Sequence, residues 1–227
     1  MKKTRLPEIL DLTSNTPLKI MDHRFSGPKA WKKEELSETD WKIKFTRKAL
    51  EEIHTMTDMI SANPLPIHLR EPGEFEIPEL RRLFSKAKKI LDQGCGFCAI
   101  ERMPMEEIRI EELIGCYWIL SQLIGRTVAQ KWDGTMIYDV TDTGQSFSYG
   151  VRGSFTNVEL FFHNDNAFGI SLPEYVGLFC KNPALKGGKS RFCSIYSVHN
   201  RMLENHPRQL ERLYRPMLFD RQKEHAD

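Results

Sequence analysis

Phe161-Phe162-His163-Asn164-Asp165-Asn166 is the stretch on which the fold and the chemistry turn. Two aromatic residues close a run of strand-forming residues, read as the end of a buried strand, and a His-x-Asp pair follows. On extended backbone, residues two apart project from the same face, so the imidazole and the carboxylate can reach one metal ion together. With a second histidine from elsewhere they make the 2-His-1-carboxylate facial triad of a non-haem Fe(II), which leaves three positions open for a bidentate co-substrate and O2. The competing reading is a turn aspartate after a surface histidine. The surrounding sequence has to weigh between them.

Composition excludes several classes of function. The chain has 227 residues, 40% hydrophobic and 28% charged, enough for one large domain with a real core. Its formal net charge is +2, from 33 basic and 31 acidic residues, which leaves no electrostatic footprint for nucleic acid or a membrane surface. No apolar run is long enough for a transmembrane helix, and Met1-Lys2-Lys3-Thr4-Arg5-Leu6-Pro7 lacks the apolar core of a secretory signal. Five cysteines, scattered through apolar segments, fit unpaired thiols in a reducing, cytoplasmic setting. Cys95-Gly96-Phe97-Cys98 has no second C-x-x-C to complete a zinc site, so both thiols are read as small core residues of a strand, on opposite faces because they are three apart.

Helical texture comes first along the chain. Residues 1–36 read as an extended N-terminal arm with Pro7, Pro17 and Pro28, and 37–227 as the main domain. Phe45, Ala49, Ile53, Met56 and Ile60 recur at helical spacing and predict a helix from about Thr39 to Ser61, capped by Thr39 or Asp40. Pro78 opens a second helix that stops at Gly94, with Leu80, Leu83, Phe84, Ala87 and Leu91 inward and Lys86, Lys88 and Lys89 solvated. A strand is predicted over Cys95–Glu101. A third helix spans about Glu106 to Ile124. Strands are then predicted over Thr127–Lys131, Thr135–Val140, Ser146–Arg152, Val158–Phe162, Tyr175–Cys180 and Ser190–Val198, with turns at Gly134, Gly144, Gly153 and Gly187-Gly188. Pro207 opens a last helix whose Leu210, Leu213, Tyr214 and Met217 pack inward. Helices followed by many short strands predict an α+β domain around a β-sandwich.

Several pieces together resemble the taurine dioxygenase (TauD/TfdA-like) family. They are Gly125-Arg126 with Gln130, Val151-Arg152-Gly153-Ser154, Thr156-Asn157, His163-Asn164-Asp165-Asn166, Pro173-Glu174-Tyr175-Val176-Gly177-Leu178, Ala184 with Gly187-Gly188-Lys189-Ser190, and Pro207–Tyr214 with Phe219-Asp220-Arg221. The likeness runs from about Trp41 to the end. It implies a double-stranded β-helix (a jelly roll of the clavaminate synthase type) with flanking helices. It also implies a dioxygenase that uses Fe(II), 2-oxoglutarate and O2 to hydroxylate an unactivated C–H of a small acid substrate, releasing succinate and CO2. The resemblance puts His163 and Asp165 on the metal and gives Ser190 a hydrogen bond to the distal carboxylate of 2-oxoglutarate; the rival role for Ser190 is a strand-start hydroxyl bonded to backbone. Because Asp165 is present, hydroxylation or desaturation is expected rather than halogenation. Arg152, Asn157, Glu159 and Asn166 are candidate substrate contacts by their nearness in sequence.

The departure from the family pattern is at the end of the chain. The family carries its second histidine more than about 100 residues past the aspartate, with a carboxylate-clamping arginine after it, and here 62 residues follow Asp165. The jelly roll is therefore expected to be incomplete at the C-terminus, and the chain by itself to bind iron weakly and to be inactive. Of the histidines after the pair, His199 and His206 fall in a helical stretch with surface readings, and His225 lies in a charged segment with no arginine after it. The alternative function is a non-catalytic fragment or partner-binding protein derived from this fold, with exposed sheet edges favouring a homo-oligomer. A metal hydrolase is disfavoured because no H-E-x-x-H motif occurs.

Overall fold

The computed structural model describes residues 19–131, 133–167, 172–215 and 217. They group into two compact units. One comprises 31–140 and 162–192, the other the described parts of 1–30, 141–161 and 193–227.

The first unit is built on three helices. A single turn, α1 (Glu38–Trp41), is capped by Ser37, whose hydroxyl and backbone N–H both meet the Asp40 carboxylate. The chain then extends through β1 (Lys42–Ile43) and restarts at α2 (Arg47–Ala62), where the Thr46 hydroxyl accepts from the Ala49 N–H at 3.1 Å. One long helix capped at Thr39 or Asp40 was expected; the two hydroxyl caps nine residues apart divide it. α3 (Pro78–Gln93) runs from its proline to Gly94 as the sequence predicts. α4 (Ile110–Ser121) is shorter than expected, and looser turns carry the chain on to Gly125. Ala49, Ile53 and Met56 of α2, Leu80, Leu83, Phe84 and Ala87 of α3, and Leu113, Cys116, Ile119 and Leu120 of α4 form one buried core with Phe75 and Ile77.

A buried carboxylate ties two of these helices together. Glu52 of α2 accepts from the Glu79 and Leu80 N–H groups at 2.9 and 2.8 Å. Ile77, at the N-cap of α3, offers no side-chain acceptor, so Glu52 satisfies donors that the first turn leaves open and places negative charge at the positive end of the helix. Glu52→Ala is expected to cost about 1.5–3 kcal/mol, the worth of hydrogen bonds to a charged group. Urea unfolding checks this, and an unchanged midpoint would show that Glu52 does not cap α3.

The sheet is far smaller than the sequence suggests. Among the described residues the only ladder is the parallel pair of β1 with β2 (Ala99–Ile100), in the register Lys42 with Ala99 and Ile43 with Ile100. The expected strand Cys95–Glu101 shrinks to β2 because Gly96 turns at φ = 85°. Cys95 and Cys98 remain free thiols, Cys95 buried and Cys98 half-buried. None of the six expected strands between Thr127 and Val198 forms a ladder in the described residues, so the jelly roll does not appear there. Alternation survives without pairing over 175–180. Tyr175 and Phe179 are half-buried, with Phe179 stacked on Tyr117 at 5.4 Å, while Val176 and Leu178 are exposed. Between them, a Cβ on Gly177 would lie 2.6 Å from the Tyr117 hydroxyl, so this segment approaches α4 too closely for any side chain. Lys88, expected on a solvated face, donates to the Tyr175 hydroxyl at 2.7 Å. That bond, with Asp92 beside it, raises the lysine's pKa.

In the second unit, α5 (Ile195–Asn205) replaces the expected strand Ser190–Val198. The Ser194 hydroxyl caps it by accepting from the Ser197 N–H at 3.1 Å. α6 (Pro207–Leu213) follows. Leu210 is buried in it, but Leu213 and Met217 are exposed, against expectation. His199 is buried rather than on the surface, with Nε2 3.1 Å from the Met21 carbonyl and the Phe25 ring edge-on to it. Asn200 both accepts from the Phe25 N–H and donates to the Phe25 carbonyl, so the 19–30 segment lies against α5. His206 is exposed.

Candidate metal centre

His163 Nε2 and Asp165 Oδ1 stand 3.3 Å apart, each side chain about half exposed (52% and 53%). The spacing can be tested against a shared metal. With metal–ligand bonds of about 2.1 Å, adjacent corners of an octahedron lie about 3.0 Å apart. The observed separation is close to that edge, and the donors, one imidazole nitrogen and one carboxylate oxygen, suit a divalent transition metal. The two residues therefore fit the group that the pattern implies. Their setting differs from the expected buried strand end: Phe161 is 86% and Phe162 61% exposed. Aromatic residues pack inward only when a neighbouring strand covers them, and no such strand is paired here among the described residues.

Ser190 is exposed. It follows Gly187-Gly188, both at positive φ (79° and 66°), the turn that the sequence predicts there. The next residue, Arg191, holds its guanidinium 5.6 Å from the centre of the Phe162 ring, within the range of a cation–π contact. The residue after Ser190 thus touches the residue before His163. Sequence reasoning missed this link, since no local pattern marks an arginine as the partner of an aromatic 29 positions away. Asn166 directly follows the pair, whereas Arg152, Asn157 and Glu159 belong to the other compact unit.

Among the described residues, no group of three or more His, Cys, Asp and Glu is placed to hold a metal. His225 lies outside them, as do Phe219, Asp220 and Arg221. A pocket of about 380 Å³ occurs in the first unit, with Ile67, Ile114, Met136 and Ile137 in its wall and the Lys181–Asp139 ion pair (3.1 Å) at its edge. Cys116 is buried in the α4 core, and that burial pushes its thiol up to about 12, far from a reactive thiolate.

Residues 60–226 match the family model described as taurine catabolism dioxygenase TauD, TfdA family. The chain belongs to the TauD/TfdA family. The match takes in α3 and α4, the His163–Asp165 pair, the Gly187-Gly188 turn with Ser190, and α5 and α6. No curated protein matches the chain. TauD/TfdA proteins are in general dioxygenases that use Fe(II), 2-oxoglutarate and O2. No helix among the described residues is long and apolar enough to cross a membrane.

Proposed function

We propose that this protein is an Fe(II)- and 2-oxoglutarate-dependent dioxygenase that hydroxylates an unactivated C–H of a small acid. The observation that carries the reading is the convergence of His163 Nε2 and Asp165 Oδ1 at 3.3 Å inside the TauD/TfdA match. His163 and Asp165 would hold the metal, and the third ligand of the triad comes from outside the described residues. Bound iron with 2-oxoglutarate and O2 supplies the oxidising power for the hydroxylation, with succinate and CO2 as co-products.

The chain's own residues have separate tasks. The Asp165 carboxylate contributes anionic charge that favours a divalent cation. The His163 imidazole must be neutral to donate its Nε2 lone pair, so metal and proton compete for that nitrogen. The Ser190 hydroxyl donates to the far carboxylate of 2-oxoglutarate without adding charge of its own, and the Arg191–Phe162 contact keeps that segment beside the metal pair.

Ser190→Ala removes one hydrogen bond to a charged group, worth about 1.5–3 kcal/mol. In the iron-loaded protein, the 2-oxoglutarate requirement is expected to rise roughly tenfold or more, by the same bookkeeping. Metal affinity should stay unchanged. Succinate formation measured against 2-oxoglutarate concentration decides it, and curves that overlay would make Ser190 a structural residue.

A further inference from the structure

A half-buried lysine and an exposed aspartate meet at the mouth of a cavity whose wall is apolar. The cavity, about 380 Å³, is lined from α4, from the turn Ile67–Leu69 and from the 134–139 segment. Its size falls in the range of about 300–1,000 Å³ common to small-molecule sites. Ile67, Ile114, Met136 and Ile137 form the wall, and each is only partly buried. Apolar side chains left against water gain from an apolar group that fills the space. Lys181 Nζ stands 3.1 and 3.3 Å from the two carboxylate oxygens of Asp139, and both residues line the cavity.

These two charges decide what kind of molecule fits. An ammonium has three N–H donors and a carboxylate about four acceptor positions, so the contact between them exhausts neither group. A wholly apolar ligand gains nothing from them. A ligand of single charge is attracted by one member of the pair and repelled by the other at nearly the same distance. A zwitterion is attracted by both when it lies antiparallel to the pair. In an α-amino acid the backbone geometry sets the ammonium nitrogen about 2.5 Å from the carboxylate carbon, close to the separation of charge within Lys181–Asp139. The ligand's carboxylate then meets Lys181 and its ammonium meets Asp139, while the ion pair stays closed and the ligand's side chain enters the apolar wall. We propose that this cavity binds a free α-amino acid with an apolar side chain. It shares none of His163, Asp165 and Ser190, so the inference stands apart from the iron site.

The test uses the full chain without metal, with isotope-labelled isoleucine and methionine methyl groups followed by nuclear magnetic resonance. The probes are L-leucine, glycine, isoamylamine (leucine without its carboxylate) and isocaproate (leucine without its ammonium). Leucine is expected to shift the methyl signals of Ile67, Ile114, Met136 and Ile137 saturably. Isoamylamine and isocaproate should each bind at least about tenfold more weakly, through the loss of one charge-assisted bond. Glycine should fall behind by a similar factor, about tenfold, because it fills none of the apolar space. Lys181→Met should lose the preference for leucine over isoamylamine, and Asp139→Asn the preference for leucine over isocaproate, with the helical circular dichroism of both as in wild type. The assignment is overturned if millimolar leucine leaves these methyl signals in place, or if an analogue of single charge matches leucine in wild type. Survival of the corresponding preference in either variant overturns it as well.

Discussion

Asp165→Ala in the iron-loaded protein is expected to abolish 2-oxoglutarate turnover and to weaken metal binding by more than about a hundredfold. Loss of a partner that only orients a ligand already costs 10–100-fold in metal affinity, and in the proposed site Asp165 is itself a ligand. The variant removes the one anionic donor of the pair, 3.3 Å from His163 Nε2. It leaves the helical core untouched, since none of the core residues comes from the 163–165 segment. Stability is therefore expected to stay close to wild type while activity goes. Succinate release, with a thermal melt as control, separates the two. Near wild-type succinate from Asp165→Ala would remove that residue from the site.

Leu113→Ala carries the largest expected effect on stability. Leu113 is fully buried in α4, in the core shared with α2 and α3. Truncating such a leucine removes its burial free energy and leaves a cavity, a loss of about 2–5 kcal/mol. For a domain whose total stability is about 5–15 kcal/mol, that is a large share. Leu185 is the contrast, because it is entirely exposed, and Leu185→Ala should fall within about 0.5 kcal/mol of wild type. Chemical denaturation of the two variants side by side reads the difference. Equal midpoints would contradict the assignment of the core to the three-helix unit.

What the sequence could and could not reveal follows from the range of the forces involved. α3 was legible to its ends because its start and stop are local: Pro78 fits the first turn and Gly94 the exit. The division between α1 and α2 was less so. The apolar spacing runs on through Phe45, and only the hydroxyls of Ser37 and Thr46, each facing open N–H groups, mark two starts. α5 was misread as a strand because Ile195, Tyr196 and Val198 favour extended backbone; Ser194, an N-cap ahead of them, was the available signal.

The strands show a different limit. Alternation over 175–180 is real, with Tyr175 and Phe179 turned toward the helices and Val176 and Leu178 outward. A ladder also needs a second segment at hydrogen-bonding distance, and periodicity within one segment says nothing about that. The approach of His163 to Asp165 was legible for the opposite reason. Its geometry needs only residues two apart, so the juxtaposition of His163 and Asp165 could be read from spacing alone. The left-handed turn at Asn166 and the Arg191–Phe162 contact depend on conformation and on distant chain, and spacing does not encode them.

The central claim is that His163 and Asp165 together bind Fe(II) for 2-oxoglutarate chemistry. Its most direct test is anaerobic titration with Fe(II) in the presence of 2-oxoglutarate, followed through the visible charge-transfer absorption of the ternary complex, on wild type, His163→Ala and Asp165→Ala. One class of iron site with this band is expected in wild type, with the band missing from both variants. A band of equal strength in all three would place the iron elsewhere and contradict the account.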